Sequence, residues 1–291
     1  MQYSAANLLI KPSPGQPAEN GSQVISSVKP QQAGWELIHF EVRRIAQNEG
    51  WGRETGEGEL GLVVLGGVCS VSSNRGDWPH VGERANVFAG KAHALYLPRQ
   101  TKFEVTARSA DLEVAICWVP TDQDHPPRVV TPADGRVEIR GGHNATRQVN
   151  DVFPPGFDCH RLIGVEVYTP GGNWSSYPPH KHDVHREDAA GNLLEADLEE
   201  VYFYQIKQPK GFALQRVYTD DRALDATVVA YHNDLVLVPY GYHPVSAAYG
   251  YDCYYLNFLA GSAQSLANSD DPDLAWVKET WTAQDPRVPM V

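Results

Sequence analysis

The chain has 291 residues, 42% of them hydrophobic and 21% charged, with a formal net charge of −12. That acidity, without any concentrated run of Lys or Arg, argues against a nucleic-acid partner, and no run of about eighteen apolar residues offers a membrane-crossing helix. Abundant Gly, Pro, Tyr and Trp without a long Ala/Glu/Lys/Leu-rich stretch point to a β-rich soluble protein with room for two domains.

The amino terminus, MQYSAANLLIKPSPGQ, has no basic segment followed by a sustained apolar one, so a cytoplasmic location is the expectation. Apolar segments rich in β-branched and aromatic residues then recur between Gly, Pro, Asn and Asp. They are LGLVVLGGVCSV (60–71), ALYLP (94–98), LEVAICWVP (112–120), LIGVEVYTP (162–170), VYFYQI (201–206), VVAY (228–231), LVLVP (235–239) and YYLNFLAG (254–261). Such spacing suits a β-sandwich or barrel and not alternating βα units. PTDQDHPPRVVTPADG (120–135) reads as a linker between domains at 1–125 and 126–291, and the two halves share a loose plan that suggests duplication. DDPDLAWVKETW is the one helical segment expected, packed on the outside near the carboxyl end. Cys69, Cys117, Cys159 and Cys253 lie far apart among apolar neighbours, as reduced core residues do.

The residues that carry chemistry lie in the second half. In GGNWSSYPPHKHD (171–183), an extended backbone sends His180 and His182 to one side and Lys181 to the other. LEEVYFYQI brings a carboxylate to the start of an apolar strand, where an unpaired charge is costly. VPYGYHPV places His243 after a Pro-x-Gly turn at the end of another strand. Three imidazoles and one carboxylate suit a single Zn, Mn, Fe, Co or Ni ion with positions left for substrate. Spacing does not choose between Glu199 and Glu200. His185 sits in a polar stretch and reads as exposed, and His80, His93, His160 and His232 have no partners at ligand spacing.

His-x-His, then Glu, then Pro-x-Gly followed by His resembles the two cupin motifs, which implies an all-β bicupin: two double-stranded β-helix (jelly-roll) barrels in tandem with a short C-terminal helix. The 17 residues 183 to 199 exceed the usual gap between His and Glu and imply an inserted loop, and the Asn usual beyond the last His is Ala247. The strings VEVYTPGGNWSSYPPHKHD, LEEVYFYQIKQPKGFALQRVYTDD, VLVPYGYHPVSAAYGYDCYYLNFLAG and RGGHNATRQV resemble the 5-deoxyglucuronate isomerase family of myo-inositol catabolism, which is related to 5-keto-4-deoxyuronate ketol-isomerase. The resemblance implies Glu200 as the carboxylate ligand, beside His180, His182 and His243, with zinc as the first choice of metal. It implies an aldose-ketose isomerase acting on a small sugar acid, 5-deoxy-glucuronate to 5-dehydro-2-deoxy-gluconate, and a first half that is a cupin without its metal.

The substrate carboxylate needs a cation, for which Arg216 is the candidate, in phase with Phe212, Leu214 and Tyr218, with surface pairing to Asp220 or Asp221 as its alternative. Tyr255 is a candidate catalytic hydroxyl, and Tyr202, Tyr204 and Asn257 could line the same cavity. The competing functions are a cupin Fe(II) dioxygenase and a non-enzymatic sugar-binding bicupin. A homodimer or higher homo-oligomer is expected only because symmetric assemblies are common.

Overall fold

The computed structural model describes residues 2–13 and 21–291, and nearly all of its regular structure is strand. The expected apolar segments extend because branched and aromatic side chains pack well on a pleated surface. In LGLVVLGGVCSV the double glycine breaks the run. Gly58–Gly66 ends there, Gly67 turns at a φ of 94°, and Cys69–Ser73 starts in a different sheet.

In the first half a six-stranded sheet runs, in spatial order, Arg128–Val130, Ala94–Leu97, Gly58–Gly66, Asp111–Pro120, His39–Ala46 and Ser22–Val28. It closes on a four-stranded sheet of Gly50–Glu54, Lys102–Ala107, Cys69–Ser73 and Gly76–Val81. The second half repeats this order. Leu9–Ile10, Leu235–Val238, Leu198–Ile206, Cys253–Gly261, Ile163–Thr169, Arg147–Phe153 and Val137–Arg140 form seven strands against Trp174–Ser175, Val245–Ala247, Ala213–Tyr218 and Asp225–Ala230. The outer strands are exchanged along the chain. Leu9 and Ile10 pair with Val236 and Leu235 of the second half. Arg128–Val130, within the stretch expected to be a linker and beyond the expected boundary at 125, pairs with Ala94–Tyr96 of the first.

Alternation along the strands sorts side chains into three cores. From Gly58–Gly66, Leu60, Leu62 and Val64 fill the first barrel with Trp51, Phe103 and Trp118. On the opposite face Val63 and Leu65 join a cluster that includes Phe40, Phe203 and Phe258, so the two broad sheets pack back to back. Phe40 lies 6.0 Å, centroid to centroid, from each of Phe203 and Phe258. Gly61 is required at this contact, since a Cβ there would come within 2.6 to 3.1 Å of Leu162, Phe153 and Phe258.

Two carboxylates, Glu59 buried and Glu199 half-buried, clasp the halves reciprocally. Glu59, from the first half, accepts the backbone N–H groups of His160, Arg161 and Leu162 at 2.6 to 3.0 Å. Glu199, from the second, accepts those of Glu36, Leu37 and Ile38 at 2.5 to 3.1 Å. The expected carboxyl-terminal helix is a 3-10 helix, Ala275–Thr280, with no buried residue, so no apolar face holds a longer α-helix there. Among the described residues no helix is long and apolar enough to cross a membrane. All four cysteines are free and buried.

Candidate active site

The strand Leu198–Ile206 positions the carboxylate. Glu200 and Tyr202 face the interior of the second barrel, while Glu199 and Phe203 face the first half. The phase of the strand thus separates the two glutamates that spacing left open: Glu200 faces the histidines and Glu199 is spent on the clasp. His182 follows a two-residue strand, His180–Lys181, and His243 follows the Pro239–Gly241 turn, in which Gly241 has a φ of 93°.

His182, Glu200 and His243 are buried, and one ligand atom from each lies within 4.8 Å of the others. His182 Nε2 is 3.1 Å and His243 Nε2 is 3.3 Å from the same oxygen, Glu200 Oε2. Each imidazole is oriented by its other nitrogen. His182 Nδ1 donates to the Leu198 carbonyl at 3.0 Å and His243 Nδ1 to the Gly241 carbonyl at 2.8 Å, which turns both Nε2 atoms toward the carboxylate. A single proton could relieve only one of these contacts. His243 Nε2 is buried without a hydrogen-bond partner among the described residues. Burial also holds His243 down to about 3, so it is a neutral imidazole, the form that ligates a metal. The donor set thus fits a divalent cation. His180 stands outside the close triad, on the cavity wall with its ring 4.8 Å from that of His243. Burial and the neighbouring His182 hold it, too, down to about 3.

Asp183 supports this arrangement. Its Oδ1 accepts the Gly241 N–H at 2.6 Å, tying the His180–His182 segment to the turn that carries His243. Lys181, as expected, points away and pairs with Asp220. His185 is exposed and contacts Ser262.

Beside the triad lies a cavity of about 410 Å³. Tyr202, Tyr255 and Asn257 line it, whereas Tyr204 turns aside to donate to Gln215 at 2.8 Å. The Ser176 hydroxyl lies 3.0 Å from that of Tyr202 and 3.4 Å from that of Tyr255. Burial raises both phenols, Tyr255 to about 12 and Tyr202 well above its ordinary value, so both stay protonated.

Arg216 is not at this site. The inward positions of Ala213–Tyr218 are those of Gln215 and Val217, both buried, and Arg216 lies on the outer face with exposed Leu214. There it makes a bidentate pair with Asp225, 2.7 Å at each contact, and its guanidinium lies over Tyr218. Three other cations that spacing did not single out line the cavity: Arg140, Arg147 and Lys278.

Among its described residues the first barrel has no equivalent triad, and its strand register shows why. Leu60 pairs with Leu97, just before Pro98, as Glu200 pairs with Val238, just before Pro239. Phe103 stands two residues before Val105, and His243 two before Val245, in matching strand pairs. Leu60 and Phe103 thus occupy the places of Glu200 and His243.

The profile of the KduI/IolB family matches residues 9–277. The chain belongs to that family. A relative in the KduI/IolB family, the 5-deoxy-glucuronate isomerase of Geobacillus thermodenitrificans, is 42% identical over 266 residues, covering 91% of this chain and 94% of that protein. The crystal structure of an IolB-like protein from Salmonella typhimurium matches with a TM-score of 0.85 and 38% identity, over 93% of this chain and 98% of that one. A variant of Bacillus subtilis oxalate decarboxylase, 12% identical, matches with a TM-score of 0.60 over 90% of this chain and 79% of its own. At that identity it speaks for the bicupin fold alone.

Proposed function

We propose that this KduI/IolB protein is an aldose-ketose isomerase that converts 5-deoxy-glucuronate to 5-dehydro-2-deoxy-gluconate in myo-inositol breakdown. The observation that carries the reading is the convergence of two oriented imidazoles and one carboxylate beside a tyrosine-lined cavity, in a chain similar over nine-tenths of its length to a 5-deoxy-glucuronate isomerase. His182, Glu200 and His243 would hold a divalent cation, with His180 beside them, and zinc suits the nitrogen-rich donor set. When bound, such a cation polarises the substrate oxygens and stabilises the negative charge that develops on them.

The reaction moves a proton from the hydroxyl-bearing carbon to the neighbouring aldehyde carbon, and a second proton from one oxygen to the other. Tyr202, Ser176 and Tyr255 form a run of hydroxyls suited to the second transfer, since both phenols stay protonated and can donate to an oxygen and take a proton back. The four free cysteines fit a reducing, cytoplasmic setting.

Incubation with the aldose acid in D₂O, followed by proton NMR, tests the reading. The ketose acid should appear without oxygen or a nicotinamide, carrying solvent deuterium at the carbon that receives the proton. Activity should be lost on chelation and in His243→Ala, and undiminished turnover in that variant would refute the metal's role.

A further inference from the structure

Of the three cations in the cavity wall, two are already neutralised. Arg140 pairs with Glu138 at 2.8 Å, and Lys278 pairs with Asp270. Arg147 has no carboxylate within 4.0 Å among the described residues. Its hydrogen bonds there use Nη1 alone, which donates to the carbonyls of Ala145 at 3.2 Å and Tyr177 at 3.0 Å. Nε and Nη2 therefore have no acceptor among the described residues. Arg147 begins the strand Arg147–Phe153, and Val149 two residues on shares its inward face, so the side chain is held on the cavity wall by the sheet. A guanidinium set into the wall beside Tyr255 and Tyr202 presents this free edge to an anion in the cavity. Burial, helped by the nearby Arg140, draws it down to about 10, against the opposing effects of Tyr255, Glu138 and Tyr202.

We propose that Arg147 is the anion subsite of this cavity, binding the carboxylate of the sugar acid through the Nε and Nη2 edge that the protein leaves free. This rests on the isomerase reading for the identity of the substrate, but the anion subsite stands on the geometry of Arg147. Planar, bidentate guanidinium-carboxylate contacts are specific for an acid. The subsite therefore makes the enzyme select an aldose acid over the aldose that carries a neutral CH₂OH in place of the carboxylate. It also orients the chain of the sugar, with the acid end at Arg147 and the carbonyl end toward the triad.

Calorimetric binding of gluconate, an inert sugar acid, to metal-loaded protein tests this directly, with metal content measured on the same samples. Wild type should bind gluconate at least about 30-fold more tightly than it binds the neutral sorbitol. Arg147→Gln should lose that preference, keep its metal, and bind sorbitol as wild type does. In turnover, the same variant should raise KM for the sugar acid at least about 30-fold with a smaller change in kcat. Equal affinity of wild type for gluconate and sorbitol would overturn the proposal even if the variant failed to fold. So would retained gluconate preference in Arg147→Gln, or loss of its metal, which would mark Arg147 as a support for the Tyr177–His180 segment. Gluconate preference that depends on Arg147 in a protein without isomerase activity would uphold the subsite and refute the proposed reaction. Isomerisation with an unchanged KM in the variant would do the reverse.

Discussion

Glu199 and Glu200 are neighbours of the same chemistry with unrelated roles, because successive strand residues face opposite ways. Glu200→Gln removes an acceptor from the triad and should reduce metal content and activity more than about 100-fold. It should not destabilise the metal-free protein, since it takes away a buried charge. Glu199→Gln should keep the metal and lose about 2–4 kcal/mol, because its amide NH₂ meets N–H donors that need an acceptor. Denaturant unfolding of both variants in metal-free form, beside metal analysis, separates the two roles. The apolar run after these residues was legible as a strand, and His180, His182 and His243 as candidate ligands, but the phase of a strand buried on both faces leaves no mark in its sequence. The same gap misplaced Arg216: Ala213, Leu214 and Val217 are apolar in both phases, so only the folded sheet shows Gln215 inward. Arg147 follows the polar run HNAT, where no apolar alternation marks a cavity wall.

The stretch between His182 and Glu200 was recognisable as an insertion from its length, but its conformation was not. It forms a small hairpin, Arg186–Glu187 against Leu193–Glu195, with Asp188 accepting the N–H groups of Ala190 and Asn192 at the exposed tip. Its base is fixed by Glu195, which accepts the Asp183 N–H at 2.9 Å and the Ser269 hydroxyl. No residue from 183 to 197 lines the cavity. Replacing 188–192 by an Asn-Gly turn should therefore leave metal content unchanged and shift the melting temperature by less than about 3 °C. Metal analysis and a thermal melt check this, and a loss of metal would show that the hairpin tip holds the ligands in place.

At the scale of the molecule, the repeated strand order was legible only as a loose similarity of spacing, because the pairings that define it join residues far apart in the chain. The shared Phe40–Phe203–Phe258 core and the Glu59 and Glu199 clasps make the two barrels one cooperative unit. Phe40→Ala should cost about 3–5 kcal/mol, and the loss should appear equally when unfolding is followed in either half. A calorimetric melt that splits into two transitions would show that the barrels unfold separately. The exchanged outer strands have a further consequence for synthesis. The first barrel receives its last strand, Arg128–Val130, as soon as the chain has passed it, and can close while the rest is still being made. Leu9 and Ile10, made before the strands of the first barrel, must wait for Leu235–Val238 before they find their partner. This earlier-made segment is thus among the last to dock, and it covers the edge of the barrel that carries His182, Glu200 and His243 only when that barrel is nearly finished.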